Sequence, residues 1–238
     1  MHLVFRWPRR HFALLLTLIA VLLIQPLSQE WGGHRVFHDT LSTLVALAVL
    51  LFVFDSNRER LISLGLVLPG ILASLLRYVF PATDSLPLEL VVQISSLFFY
   101  GYAAGVILVG IIERRAVRAD DVVGAICSYV LLGLCWSSLY QTTELLAPGS
   151  FAVHSDLAVQ LDDRKSRQAL FNYFSFVTLT TLGYGDVTPV SHVAATFAWL
   201  EATFGQFYIA VVVAQIVGFR LAQGDRRRVA RIEESPDD

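Results

Sequence analysis

Cysteine is scarce in this chain, and no cluster of residues is set up to hold a metal or run a reaction. The two cysteines, Cys127 and Cys135, lie inside one apolar run. They read as buried thiols and not as a disulfide or a zinc site, because no histidine or carboxylate cluster accompanies them. His154 has no partner at ligand spacing. No catalytic constellation is present, so the chain reads as a non-enzyme. The formal net charge of −2 identifies no partner, and no nucleic-acid partner is expected. A further absence is local: from Leu88 to Glu113 there is no basic residue.

What the chain has in abundance is apolar surface. Over 238 residues, 55% of positions are hydrophobic and the mean hydropathy is +0.60. Soluble domains sit nearer about 45–50% and lack repeated uncharged runs of spanning length. Six runs approach or reach the length that crosses about 30 Å of hydrocarbon. They cover 12–28, 39–55, 61–80, 88–113, 121–142 and 193–220. The third contains Pro69-Gly70, which predicts a kink, since proline removes a backbone hydrogen bond and crowds the preceding turn. The first follows Arg6, Arg9 and Arg10 as a signal peptide would, but Gln25-Pro26-Leu27-Ser28-Gln29 offers no clear cleavage site, so a retained helix is expected.

Arginine sets the orientation. Arg6, Arg9, Arg10, Arg58, Arg60, Arg114, Arg115, Arg118, Arg226, Arg227, Arg228 and Arg231 fall on one side of the predicted helices. Arg35, Arg77, Arg164, Lys165 and Arg167 fall on the other. Twelve against five is a clear positive-inside bias. Both termini are therefore expected in the cytoplasm of a multi-pass protein of the plasma or inner membrane. Arg220, at the inner end of the last run, agrees.

Between the fifth and last runs stands Thr180-Thr181-Leu182-Gly183-Tyr184-Gly185-Asp186. In a bilayer, irregular backbone is tolerated only where protein buries it or water runs beside it. The residues before it, Gln168 to Thr180, make a helix of about 13 positions, too short to span and suited to a re-entrant helix. The partly negative C-terminal end of such a helix would face the membrane centre and favour a cation there.

This stretch closely resembles the selectivity filter of tetrameric potassium channels, usually Thr-Val-Gly-Tyr-Gly-Asp. The resemblance covers roughly 120–223 and is most specific in the filter. It implies an all-α membrane protein of six transmembrane helices with a re-entrant pore helix and filter loop. It also implies that the carbonyls of Thr181, Leu182, Gly183 and Tyr184 replace the water shell of K+, the transported ion, with the Thr181 hydroxyl completing the innermost site. Gly183 and Gly185 supply backbone angles that a Cβ disfavours. Leu182 stands for the usual valine, and Asp186 adds negative charge at the outer mouth. Thr180 supports the filter from below.

Tyr173 and Phe174 occupy the positions of an aromatic pair that braces the filter in the family, with ordinary packing as the competing reading. The acidic pore-helix residue of some members is Val177 here, so gating through a carboxylate pair at that site is not expected. Gly205, nineteen residues past Asp186, matches the gating-hinge glycine of the family's inner helix. Close helix packing is the competing reading. Glu201, one turn earlier, is costly at membrane depth, about 2.5–3.5 kcal/mol if charged. It is expected to brace the pore helix from behind or to make a plain structural contact.

Four helices before a pore unit match the layout of six-helix cation channels, whose fourth helix carries basic residues at every third position to sense voltage. None is present between Leu88 and Glu113, so arginine-driven voltage dependence is not expected. Gly101 and Gly105 predict a tight packing face instead. The segment 143–167, with Glu144, Asp156, Asp162 and Asp163, reads as a solvated outer turret. The division expected is a four-helix domain over 1–118, a pore domain over 119–223, and a short, charged, disordered cytoplasmic tail over 224–238.

The partners implied are the lipid bilayer, potassium ions and three identical subunits, a homotetramer, because one chain supplies one filter strand and a ring takes four. Two other functions share these features: a weakly selective cation channel, and a non-conducting membrane subunit of another channel or transporter.

Overall fold

The computed structural model of the chain describes residues 10–30, 35–54, 56–80, 85–113, 119–154 and 164–233. Long apolar runs become helices because a helix satisfies every backbone donor and acceptor within itself. In chain order these are α1 (Arg10–Glu30), α2 (Arg35–Phe52), α3 (Asn57–Val79), α4 (Leu86–Ile112) and α5 (Ala119–Leu146). A short strand β1 (Phe151–Val153) follows, then α6 (Arg164–Leu179), β2 (Val187–Pro189) and α7 (His192–Glu233). Among the described residues, α3, α4 and 120–146 of α5 are long and apolar enough to cross a membrane. The apolar parts of α1 and α2 are shorter, His11–Ile24 and Thr43–Phe52.

Local chemistry sets the start of α3. Ser56 Oγ accepts from the Arg58 amide and Glu59 Oε2 accepts from the Ser56 amide, both at 3.3 Å. This reciprocal cap satisfies amides that have no partner within the helix. Pro69 sits inside α3, which continues to Val79. Gly70 explains the small residue beside it: a Cβ there would lie 3.0 Å from Ser95 Cβ on α4.

Two apolar cores organise the molecule. The first joins α1, α2, α3, α4 and α5 through Leu14, Val49, Val67, Phe99, Ala103 and Leu131, and Val212 of α7 reaches it. It therefore continues past residue 118 into the pore unit. Of the expected glycine face on α4, Gly101 does pack, with Cys135 Sγ 3.3 Å from where its Cβ would stand, while nothing lies within 4 Å of Gly105. The second core is aromatic. Tyr140, Phe151, Phe171 and Phe174 meet edge to face with centroids 4.9–5.5 Å apart, and Leu170, Val187 and Ala194 close around them.

Three expectations need correction. Glu144 is not part of a solvated turret. It lies in the last turn of α5, is buried, and accepts from the Gly149 amide at 2.8 Å, an intrachain bond that caps the turn after the helix. The pore helix starts at Arg164, four residues before Gln168, so Arg164 and Arg167 belong to it. The tail is helical rather than disordered as far as Glu233, because Arg, Ala and Glu in this stretch are good helix formers and simply extend α7. Arg6, Arg9, Arg114, Arg115, Arg118, Asp156, Asp162 and Asp163 lie outside the described residues.

Candidate pore loop and its supports

The loop between α6 and β2 is held at both ends. Below it, α6 ends by folding back on itself: the Thr180 amide bonds Phe176 O, the Thr181 amide bonds Thr178 O, and the amides of Leu182 and Gly183 both reach Val177 O. Above it, β1 and β2 pair antiparallel with Phe151 opposite Pro189 and Val153 opposite Val187. The His154 amide extends this pairing onto the Asp186 carbonyl at 2.9 Å. The strand pair joins residues 151–153, which precede α6 in the chain, to those just after the loop, a link that sequence reasoning missed. Three-residue strands are too short to carry a periodic signal.

Inside the loop the backbone alternates. Thr181, Gly183 and Gly185 have φ of 58°, 59° and 78°, whereas Leu182 and Tyr184 are not among the positive-φ residues. Glycine adopts this region freely. Threonine, branched at Cβ, does so at a cost of about 1–3 kcal/mol, which the surroundings must over-determine. Alternating signs of this kind let successive carbonyls turn to one side, where uniform signs would send them to opposite sides. Among the described residues, no hydrogen bond ends on the carbonyls of Thr180, Thr181, Leu182, Gly183, Tyr184 or Gly185. The whole loop from Thr181 to Gly185 is exposed in the single chain.

Side chains around the loop fall into three groups. At its top, Tyr173 donates its hydroxyl to Asp186 Oδ2 at 2.5 Å, and Asp186 Oδ1 accepts from the Val187 amide at 3.0 Å. Phe174, by contrast, is buried in the aromatic core. The two aromatics thus divide the work, one polar contact to the loop and one packing contact behind it. At its base, Gln206 Nε2 donates to Thr181 Oγ1 at 3.2 Å, a contact the sequence did not disclose.

The third group lies behind α6. Glu201 is fully buried; its Oε2 accepts from the Tyr140 hydroxyl at 2.5 Å, and its Oε1 lies 2.6 Å from Ser175 Oγ. Ser175 Oγ is also 2.7 Å from the Gly133 carbonyl. One turn further on, Tyr129 donates to Leu179 O at 3.1 Å, and a Cβ on Gly205 would run into that same carbonyl oxygen. The three helices therefore meet at two levels with matching i, i+4 spacing: Gly133, Ser175 and Glu201, then Tyr129, Leu179 and Gly205. Gly133 also leaves room for a neighbour: its Cβ would stand 2.6 Å from the Phe176 ring, which would have to shift.

Farther out, Arg167 in the first turns of α6 pairs with Glu89 in the first turn of α4 at 3.1 Å, with little solvent on either. It joins the pore helix to the helices that precede the pore unit. No metal-holding cluster of His, Cys, Asp or Glu occurs among the described residues.

Residues 167–220 match a family model described as an ion channel. The match begins in α6, spans the loop and ends in α7, and with the apolar helices it supports a membrane ion channel. No curated protein and no solved structure matches the chain.

Proposed function

We propose that this chain is a potassium-selective channel that conducts K+ passively across the cell membrane as a homotetramer. The observation that carries the proposal is the row of unbonded carbonyls from Thr180 to Gly185 on a backbone of alternating φ sign. An unpaired carbonyl row is costly in a membrane unless something replaces water there. Four such rows about an axis would dehydrate and coordinate a monovalent cation. In this reading Thr181, Leu182, Gly183 and Tyr184 form the ion sites, and Thr180, Gly185 and Asp186 support them.

Tetramerisation is supported by what the single chain leaves open. Leu182 and Tyr184 are 57% and 66% exposed, and apolar side chains at a strained loop of this kind fit the surface of a neighbouring subunit. Both termini face the cytoplasm, and the absence of basic residues from α4 argues for gating without a voltage-driven helix.

The test is flux and reversal potential of the purified full-length protein in liposomes holding mixed K+ and Na+. A reversal potential that follows K+ alone bears out the proposal. One that follows Na+ equally makes the chain a weakly selective cation channel. A well-folded oligomer with no flux makes it a non-conducting subunit. Either of the last two results defeats the proposal.

A further inference from the structure

We infer that Glu201 acts as a hydrogen-bond donor: a neutral carboxylic acid that hands its hydrogen to Ser175 and so positions α6 against α5. The inference comes from counting hydrogens. Gly133 O, Ser175 Oγ, Glu201 and Tyr140 Oη form a chain with three contacts of 2.7, 2.6 and 2.5 Å. Two oxygens approach that closely only with a hydrogen between them. Ser175 brings one hydrogen and Tyr140 brings one, while the Gly133 carbonyl brings none. The third must ride on Glu201.

Its place follows. Tyr140 donates to Oε2. Ser175 can reach the Gly133 carbonyl only by donating, because a carbonyl cannot. That leaves Ser175 Oγ as the acceptor for a hydrogen on Glu201 Oε1. Were Glu201 ionised, one of the two contacts of Ser175 would set two bare oxygens face to face inside a site closed to water. The titratable groups that face it are Tyr140, Tyr129 and Cys135, all on α5, and no cation pairs with it among the described residues. Nothing nearby would compensate a negative charge.

The chain of donors runs one way, from Tyr140 and Glu201 through Ser175 to the α5 backbone. Ser175 lies two residues before Val177, whose carbonyl holds the amides of Leu182 and Gly183. Glu201 is thus a positioning residue for the loop, acting through Ser175. The hydrogen count stands whether or not the channel reading holds; only its effect on flux rests on that reading.

The experiment uses full-length protein in liposomes. Its infrared spectrum should contain a carboxylic-acid carbonyl band that disappears in Glu201→Gln and shifts in Ser175→Ala, where the acceptor is gone. Potassium flux should stay within about threefold of wild type in Glu201→Gln, whose amide can donate and accept in the same places, and fall about tenfold or more in Glu201→Ala and Ser175→Ala. A wild-type spectrum without the acid band overturns the inference, even if every variant fails to fold. So does an acid band that neither substitution moves, or a Glu201→Gln variant as impaired as Glu201→Ala. Wild-type protein with the band but no flux defeats the channel reading and leaves the inference intact.

Discussion

A Cβ placed on Gly205 would collide with the carbonyl oxygen of Leu179, the last residue of α6, so no side chain fits between the two helices there. The α7 helix runs unbroken through this point. The contact gives Gly205 a packing reason to be glycine, independent of any hinge. Alanine there collides with backbone, not with a side chain that can turn aside. Gly205→Ala should therefore destabilise the protein by about 1–3 kcal/mol, the usual range for overpacking. Thermal unfolding of the purified protein measures it. An unchanged midpoint with altered open probability would instead favour a hinge.

Gly183 and Gly185 present the opposite case. Nothing lies within 4 Å of a Cβ on either, so any effect of substitution is conformational. At φ of 59° and 78° alanine costs roughly 1–2 kcal/mol. Gly183→Ala and Gly185→Ala should abolish potassium flux while the purified protein elutes as wild type. Flux that survives both changes removes the loop from the ion path.

Gln206 holds the hydroxyl of Thr181 at 3.2 Å, one of the few side-chain restraints on a β-branched residue in the left-handed region. Gln206→Leu removes a bond of about 1 kcal/mol and should lower the K+ over Na+ permeability ratio about threefold or more. Reversal potentials read it directly. Thr181→Ser, which keeps the hydroxyl, should stay close to wild type.

Tyr173, on α6, donates its hydroxyl to Asp186 at the outer end of the loop. Tyr173→Phe deletes the donor without changing the packing of the ring. Current during a sustained recording should then decay faster than in wild type. A double-mutant cycle with Asp186→Asn should give a coupling of about 1–3 kcal/mol, since the bond is charge-assisted. A coupling near zero would show that the two side chains do not act together.

Arg167 and Glu89 are 16% and 13% exposed, so removing the Glu89 charge leaves the Arg167 guanidinium with little water to compensate it. Glu89→Gln should lower the thermal midpoint, by a loss of about 1–3 kcal/mol. The exchanged pair, Glu89→Arg with Arg167→Glu, should recover part of it. Equal stability in all three proteins would mean that the bridge contributes nothing.

Much of this was legible in the chain itself. Helices α3 to α5 fall within a few residues of the apolar runs because hydrocarbon length and backbone self-satisfaction act on local sequence. The loop could be located because its glycines, threonines and aspartate stand where an uninterrupted apolar run would otherwise continue. On α5, Ser137, Tyr140, Gln141 and Glu144 repeat at i, i+3, i+4 and i+7. Ser137, Tyr140 and Glu144 of this stripe make hydrogen bonds in the structure, a signal that the solvated reading of Glu144 passed over.

The amino-acid order alone thus determined where the chain is apolar, how its arginines are spaced along it and where the polar loop interrupts it. Only the tertiary structure decided what Glu201 touches, why Gly205 lacks a side chain, that Glu144 is enclosed, and that the two short strands meet across the loop. Tyr140 and Ser175 lie 61 and 26 residues from Glu201. Local propensity carries no information over such separations; the partners are chosen by the way α5, α6 and α7 pack.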